Sequence, residues 1–258
     1  MSFAPPVKFT NLSGLKYVLY LILFTSLYCK QYKLGNLIMK EEILKIPLFQ
    51  TMTAEQLEVI APLLVSRNFR KNEIIFREED TNQFMYIILI GQVKVTKITE
   101  DGRERILAIH NAGEFFGEMS LIDAMTAPAN VTAKENSTLI IFSKKDFSKL
   151  LLQPNFTEQL LLILCKRLRA AWSQVEWLTM LNASEKIKAV FGFLAKHHGE
   201  KQNDWIKINL KLTQAEIGEF AGMSRETVSR ELNRLRDEGV VRAKKSDFSI
   251  KINWIDSL

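Results

Sequence analysis

Leu212–Gly239 reads LTQAEIGEFAGMSRETVSRELNRLRDEG, and this stretch decides the fold. Thr213 is a good N-cap, and Glu216 three residues on completes a capping box that opens a helix. Ile217, Phe220 and Ala221 supply its buried face. Gly222 ends it, because glycine takes the left-handed conformation that a C-terminal cap requires. Ser224 caps a second helix in which Val228, Leu232 and Leu235 recur on one side. Arg225, Glu226, Arg230, Arg234 and Arg236 occupy the other. Two helices joined by so tight a turn are the anatomy of a helix-turn-helix, whose second helix enters the major groove of DNA. An amphipathic helix pair with a charged solvent face has the same periodicity, so spacing alone leaves both readings open.

The wording of the stretch separates them. Gln214-Ala215-Glu216-Ile217-Gly218, followed by Gly222-Met223-Ser224-Arg225-Glu226-Thr227-Val228-Ser229-Arg230, resembles the DNA-reading motif of the CRP/FNR family of bacterial transcription regulators. The resemblance implies that Arg225, Glu226 and Arg230 read bases. It assigns Thr213, Ser224, Thr227 and Ser229 to DNA phosphates. Arginine grips guanine with two hydrogen bonds, and glutamate accepts from cytosine. The operator it implies is a palindrome of the TGTGA/TCACA type.

Upstream, the pattern changes. Ile46–Phe49 and Ala54–Ala61 read as short helices, the second capped by Thr53. From Val65 short strands follow: Asn72–Phe76, Phe84–Ile90, Gln92–Ile98, Arg105–Ile109 after an Asp101-Gly102 turn, Val131–Ala133 and Leu139–Phe142. Many short strands with frequent turns point to an all-β roll or barrel. One Gly-rich loop interrupts them, Gly113-Glu114-Phe115-Phe116-Gly117-Glu118-Met119-Ser120-Leu121. Its order, with Gly91 before it and Ala129–Ala133 after, resembles the cyclic-nucleotide-binding fold and its phosphate-binding cassette. By that resemblance Glu118 stands where a ribose-binding glutamate belongs. The family's arginine and following hydroxyl are replaced by Ala127 and Pro128, and no arginine within 118–133 substitutes for them. Alanine brings no charge, and proline neither hydroxyl nor N–H. The fold therefore carries over, and cyclic AMP as ligand does not. The effector pocket is expected at Gly117, Glu118, Met119, Ala127, Pro128, Ala171 and Trp172. In cyclic-AMP-binding members a Thr-Ser pair touches the base. Ala171 and Trp172 stand in its place, with Trp172 expected to fill the space of a purine. The effector itself, if there is one, is an unidentified small molecule.

A helix is expected over Phe147–Leu152 and a long one from about Asn155. Leu161, Leu164, Leu168, Ala171, Val175 and Leu178 alternate three and four apart along it, the seam of two helices packed along their length. Packing within one chain gives a similar stripe; the family resemblance favours a homodimer. Asn182-Ala183-Ser184 reads as a hinge. Beyond it come a helix over Glu185–Lys196, a strand over Trp205–Ile208 and a hairpin of Val240–Arg242 with Phe248–Ile252, which together with the helix pair make a winged helix. Lys244 and Lys245 in the wing fit phosphate contacts or a solvated turn equally. The fold class is thus α+β: an N-terminal β-roll, a dimerisation helix and a C-terminal winged helix-turn-helix. The expected divisions are 1–38 as leader, 39–153 as effector domain, 154–182 as dimerisation helix and 183–258 as DNA-binding domain.

Composition fits this. The 258 residues are 47% hydrophobic and 25% charged, ordinary for a globular protein. The net charge of +6 suits a polyanionic partner. The two cysteines form no metal-binding pattern and fit a reducing cytoplasm. His110, His197 and His198 show no ligand spacing. No nucleophile–base pair or metal cluster suggests an enzyme. Residues 1–38 stand apart, with four lysines, no acid and the apolar run Tyr17–Tyr28. That run is too short to span a bilayer, which takes roughly 20 residues. Translation starting at Met39 is the favoured account, with a membrane-associating segment or another extension as alternatives. The expected partners are double-stranded DNA, a second copy of the chain and RNA polymerase, without a membrane. Two rivals remain: a constitutive regulator without a ligand, and a ligand-binding regulatory subunit without a DNA role.

Overall fold

The computed structural model describes residues 43–179 and 182–255. The expectations for residues 1–38 lie outside the described residues.

The roll begins with helix α1 (Ala54–Ile60), capped by Thr53, whose Oγ1 accepts from the Gln56 N–H at 3.3 Å. Two four-stranded sheets follow. One orders β1 (Val65–Phe69), β8 (Ser137–Ser143), β3 (Phe84–Ile90) and β6 (Phe115–Phe116). The other orders β2 (Ile74–Phe76), β7 (Asn130–Ala133), β4 (Gln92–Ile98) and β5 (Glu104–Asn111). Their inner faces meet in a core of Phe69, Tyr86, Ile88, Val93, Phe116, Val131, Ala133 and Leu139. The first sheet is buried on its other face too, where Met85, Ile87, Ile140 and Phe142 pack with Phe49, Leu57, Phe147 and Phe156. This explains why β3 reads FMYIILI with no polar alternation: a strand covered on both sides selects apolar residues at every position.

Ile46–Phe49, expected as a helix, is a run of turns. Phe49 N–H bonds Ile46 C=O and Met52 N–H bonds Phe49 C=O, each a three-residue step. Ile46, Leu48 and Phe49 are all buried, so core anchoring rather than helix formation explains their apolar character.

Helix α2 (Met119–Asp123) follows the cassette turn. Helix α3 (Lys144–Leu151) leads into the long helix α4 (Pro154–Thr179). Its 26 residues extend for roughly 39 Å at 1.5 Å each. The C-terminal unit, the expected DNA-binding unit, comprises α5 (Ala183–His198), β9 (Gly199–Gln202), β10 (Trp205–Ile208), α6 (Gln214–Ala221), α7 (Arg225–Asp237), β11 (Val241–Lys244), β12 (Asp247–Lys251) and α8 (Ile252–Ile255). Its sheet orders β11-β12-β10-β9. β9 carries GEKQ, all exposed, so its pairing with β10 leaves no hydrophobic trace in the sequence.

The core of this unit extends into the roll. Ile106 and Ile109 of β5 are buried among Ile217, Phe220, Val228 and Leu232. Residues three apart on a regular strand face opposite ways. Here the ladder steps from Val95↔Ala108 to Thr96↔Ile106, leaving Leu107 as an extra residue. This bulge turns Ile106 and Ile109 to one side. The Leu107 carbonyl accepts from Gln174 Nε2 of α4 at 3.1 Å.

Candidate nucleic-acid interface and effector pocket

The reading element is built by local chemistry. Thr213 Oγ1 accepts from Glu216 N–H at 3.1 Å while the Glu216 carboxylate accepts from Thr213 N–H at 2.8 Å, closing the capping box. Gly222 has φ +67°, and its N–H bonds the Gly218 carbonyl. Ser224 Oγ accepts from Thr227 N–H at 3.1 Å and lies 3.0 Å from Thr227 Oγ1. Val228, Leu232 and Leu235 of α7 are buried. Arg225, Glu226 and Arg230 project into solvent, as do Thr213 and Ser224, with Thr227 and Ser229 half-buried.

The arginines divide by their partners. Arg234 is held by Glu231 at 3.1 Å, by Glu238 and by Ser184 Oγ at 2.6 Å. It ties α7 to the start of α5. Arg236 donates to Asn233 Oδ1 at 3.1 Å. Arg242 of the wing lies over the Trp205 ring, 3.8 Å from its centroid. Lys244 and Lys245 are exposed.

At the cassette, Gly117 has φ +84°, and a Cβ there would sit 2.7 Å from the Phe84 carbonyl. Asn82, itself buried, donates to that carbonyl at 2.7 Å and to Gly117 C=O at 2.9 Å, fixing the turn. Glu118 is buried. Its carboxylate is engaged by Arg167 of α4, Nη1 at 3.0 Å, and the same guanidinium donates to the Phe115 carbonyl and lies 4.2 Å from the Phe115 ring centroid. A cation does reach the cassette, therefore, from outside 118–133. No local sequence signal marks it, since Arg167 lies 49 residues beyond Glu118 on a different element.

Ala127 is buried, and both its backbone groups are spent. Its N–H donates to Asp80 C=O at 2.9 Å, and its C=O accepts from Glu79 N–H at 2.8 Å. Pro128 and Met119 are exposed. Ala171 and Trp172 are exposed as well, Trp172 to 61%. Within a single chain, then, Trp172 stands on the open face of α4.

Two clefts, of about 480 and 630 Å³, open between the roll and the DNA-binding unit. The three histidines gather at this junction. Glu114 bonds His110 Nδ1 at 2.8 Å; burial alone would raise its carboxyl, but His110, Arg167 and the Asn111 N–H outweigh it and hold it low. Gln92 Nε2 donates to Asn111 Oδ1 at 2.9 Å, which leaves Asn111 Nδ2 to donate to His198 Nδ1 at 2.9 Å. Among the described residues no group of three or more His, Cys, Asp or Glu is arranged to hold a metal ion. No described helix is long and apolar enough to cross a membrane.

Two family models match the chain: a cyclic nucleotide-binding domain over residues 66–153 and a Crp-like helix-turn-helix domain over 187–258. The cyclic AMP receptor protein of Thermus thermophilus is 31% identical over 198 residues, 76% of this chain and 88% of that protein. The anaerobic regulatory protein of Bacillus subtilis is 24% identical over 197 residues, 76% of this chain and 83% of that one. In fold, the chain is similar to the c-di-GMP-responsive global regulator CLP of Xanthomonas campestris, with a TM-score of 0.65 at 22% identity, covering 77% of this chain and 99% of that one.

Proposed function

The chain belongs to the CRP/FNR family of transcription regulators, and we propose that it acts as a homodimer that reads a palindromic operator without needing cyclic AMP. The observation that carries the DNA reading is the exposed triad Arg225, Glu226 and Arg230 on a helix whose opposite face is buried. Thr213, Ser224, Thr227 and Ser229 contact phosphates in this reading. The apolar stripe of α4 pairs with its copy. RNA polymerase is the protein partner, and the cytoplasm the compartment.

The relatives bear different names, a cyclic AMP receptor and an anaerobic regulator, so the family does not fix the effector. The residues of the cassette support the reading without cyclic AMP. A cyclic phosphate leaving water needs a cation and hydrogen-bond donors, and each charge-assisted contact contributes roughly 1.5–3 kcal/mol. Ala127 offers no cation and has its N–H bonded to Asp80; Pro128 has no N–H to offer. Glu118, the expected ribose partner, is already paired with Arg167. An effector here is uncharged or apolar and sits against α4, with Trp172 covering it in the dimer.

One experiment tests both parts. Duplexes are selected from a random pool with and without cyclic AMP. The expected winner is a TGTGA/TCACA-type palindrome with half-site centres roughly 34 Å apart, enriched equally in both arms. Arg225→Ala or Arg230→Ala should cost about 1–3 kcal/mol and relax one base pair. A uniform loss over all sequences would move those side chains to phosphates, and enrichment only with cyclic AMP would refute the effector reading.

A further inference from the structure

The roll does more than carry the cassette; it grips the helix-turn-helix of its own chain. Ile106 and Ile109 are 3% and 4% exposed because they lie in the core of the DNA-binding unit. Lys134, in the turn after β7, pairs with Glu216 of α6, both side chains about 85% buried, at 14% and 15% exposure. Lys94 of β4 bonds Glu104 at 2.8 Å and faces Glu219 of α6 at 3.8 Å. The Arg105 guanidinium lies against Gly222, the turn of the motif, where a Cβ would collide with Arg105 Nη1. Asn111 and His198 add a hydrogen bond at the far end.

What this grip leaves open matters equally. Glu216 and Glu219 lie on the roll side of α6. Thr213, Ala215, Ser224, Arg225, Glu226 and Arg230 remain exposed. The reading surface is therefore presented, not masked, while its carrier is fixed. Domains joined by small polar contacts move relative to one another by default; an apolar interface with partly buried ion pairs restrains them.

We propose that the β4–β5 hairpin and the adjoining Lys134 turn form a clamp that holds the helix-turn-helix in reading orientation, so that Lys134 and Lys94 are positioning residues that set the half-site spacing of the operator. The inference rests on the dimer and palindrome reading above. Two reading heads on a dimer are a bivalent binder. Rigid mounting gives a high effective concentration at one spacing and little at others, whereas loose mounting lowers the peak and broadens it. The Leu107 bulge is what lets one strand supply both apolar anchors.

The test uses full-length wild type, Lys134→Glu and Lys94→Glu, each reversing a charge on the roll and leaving the reading surface intact. The panel comprises operators with the selected spacer, with one base pair more or less, and a single half-site. Hydrogen exchange of α6 in the free proteins reports the clamp without DNA. Wild type should lose about tenfold or more when the spacer changes. The variants should show faster exchange in α6, bind the best operator about tenfold more weakly, discriminate spacers by about threefold or less and bind the single half-site as wild type does. A merely structural role would not alter spacer discrimination while sparing the half-site. A variant with wild-type spacer preference, or with tighter operator binding, overturns the proposal. If wild type itself selects no two-half-site duplex, the operator reading fails and the clamp with it, a result distinguishable because the unaltered protein shows it.

Discussion

Gly222 meets two demands at once. Its φ of +67° suits glycine, and its missing Cβ makes room for Arg105. The two effects differ in kind. Left-handed backbone costs a residue with a side chain roughly 1–2 kcal/mol, whereas the Arg105 tip is the end of a flexible chain and can give way. Gly222→Ala should therefore lower unfolding free energy by about 1–2 kcal/mol, and by the same amount in an Arg105→Ala background, as read by urea denaturation. Recovery in that background would show that the collision, not the backbone, sets the cost. Arg167 makes a related point. It compensates a buried carboxylate from an element distant in sequence, so neither the cassette nor the helix alone reveals the pair.

Among the described elements, α4 has an apolar stripe that its own chain does not cover. Leu161, Leu168, Trp172 and Val175 are 57%, 53%, 61% and 61% exposed, a contiguous apolar stripe on a helix otherwise mounted on the roll. Leu164 of the expected seam is different: it packs partly against the chain's own core. Burying a leucine or valine fully is worth about 1.5–3 kcal/mol per side chain, and each seam residue counts twice in a two-fold pair. If the proposed dimer forms through this stripe, Leu168→Glu with Val175→Glu should give a monomer in sedimentation and weaken palindrome binding by about a hundredfold or more, since both reading heads no longer act together. A dimer that survives both substitutions would place the interface elsewhere.

At the scale of the whole molecule, the junction between roll and DNA-binding unit carries a pH dependence whose sign follows from its hydrogen bonds. Asn111 donates to His198 Nδ1, so the imidazole must be neutral to accept. Burial pushes His198 below the ordinary 6.5; nearby His197 and His110 add to this, and Glu114 opposes it. The docked form thus binds fewer protons than the released form once pH falls below 6.5. Docking is intact above that value and weakens as pH falls toward the docked pKa. Glu219 works the other way at lower pH. Burial lifts its carboxyl, Glu104 and Glu216 add to the effect, and Lys94 and Lys134 oppose it, so acid favours the docked form there. Protection of α6 from hydrogen exchange, corrected for intrinsic rates, should drop as pH falls below 6.5. His198→Gln, which still accepts from Asn111, should flatten this response; an unchanged response would remove His198 from the latch.

The helix-turn-helix was legible in the sequence because every determinant is local. Thr213, Glu216, Gly222 and Ser224 cap and turn a segment in which each partner lies within a few residues, and the structure has each of those bonds. β3 and β4 were equally readable, at Phe84–Ile90 and Gln92–Ile98, because an unbroken apolar run in the first, β-branched residues alternating with polar ones in the second and the Gly91 turn between them are local signals. The absence of a cassette arginine was also plain from Ala127 and Pro128. Other features depend on partners far along the chain. β6 is a strand only because β3 offers an edge, and Ile46–Phe49 is apolar for anchoring rather than for helix formation. The Leu107 bulge, the Arg167–Glu118 pair and the lysine grip on α6 arise from packing between elements, where direction and distance, not residue type, settle what meets what. A local sequence window contains caps and periods; it does not contain the register of one strand against another, and that register turned Ile106 and Ile109 toward the DNA-binding unit.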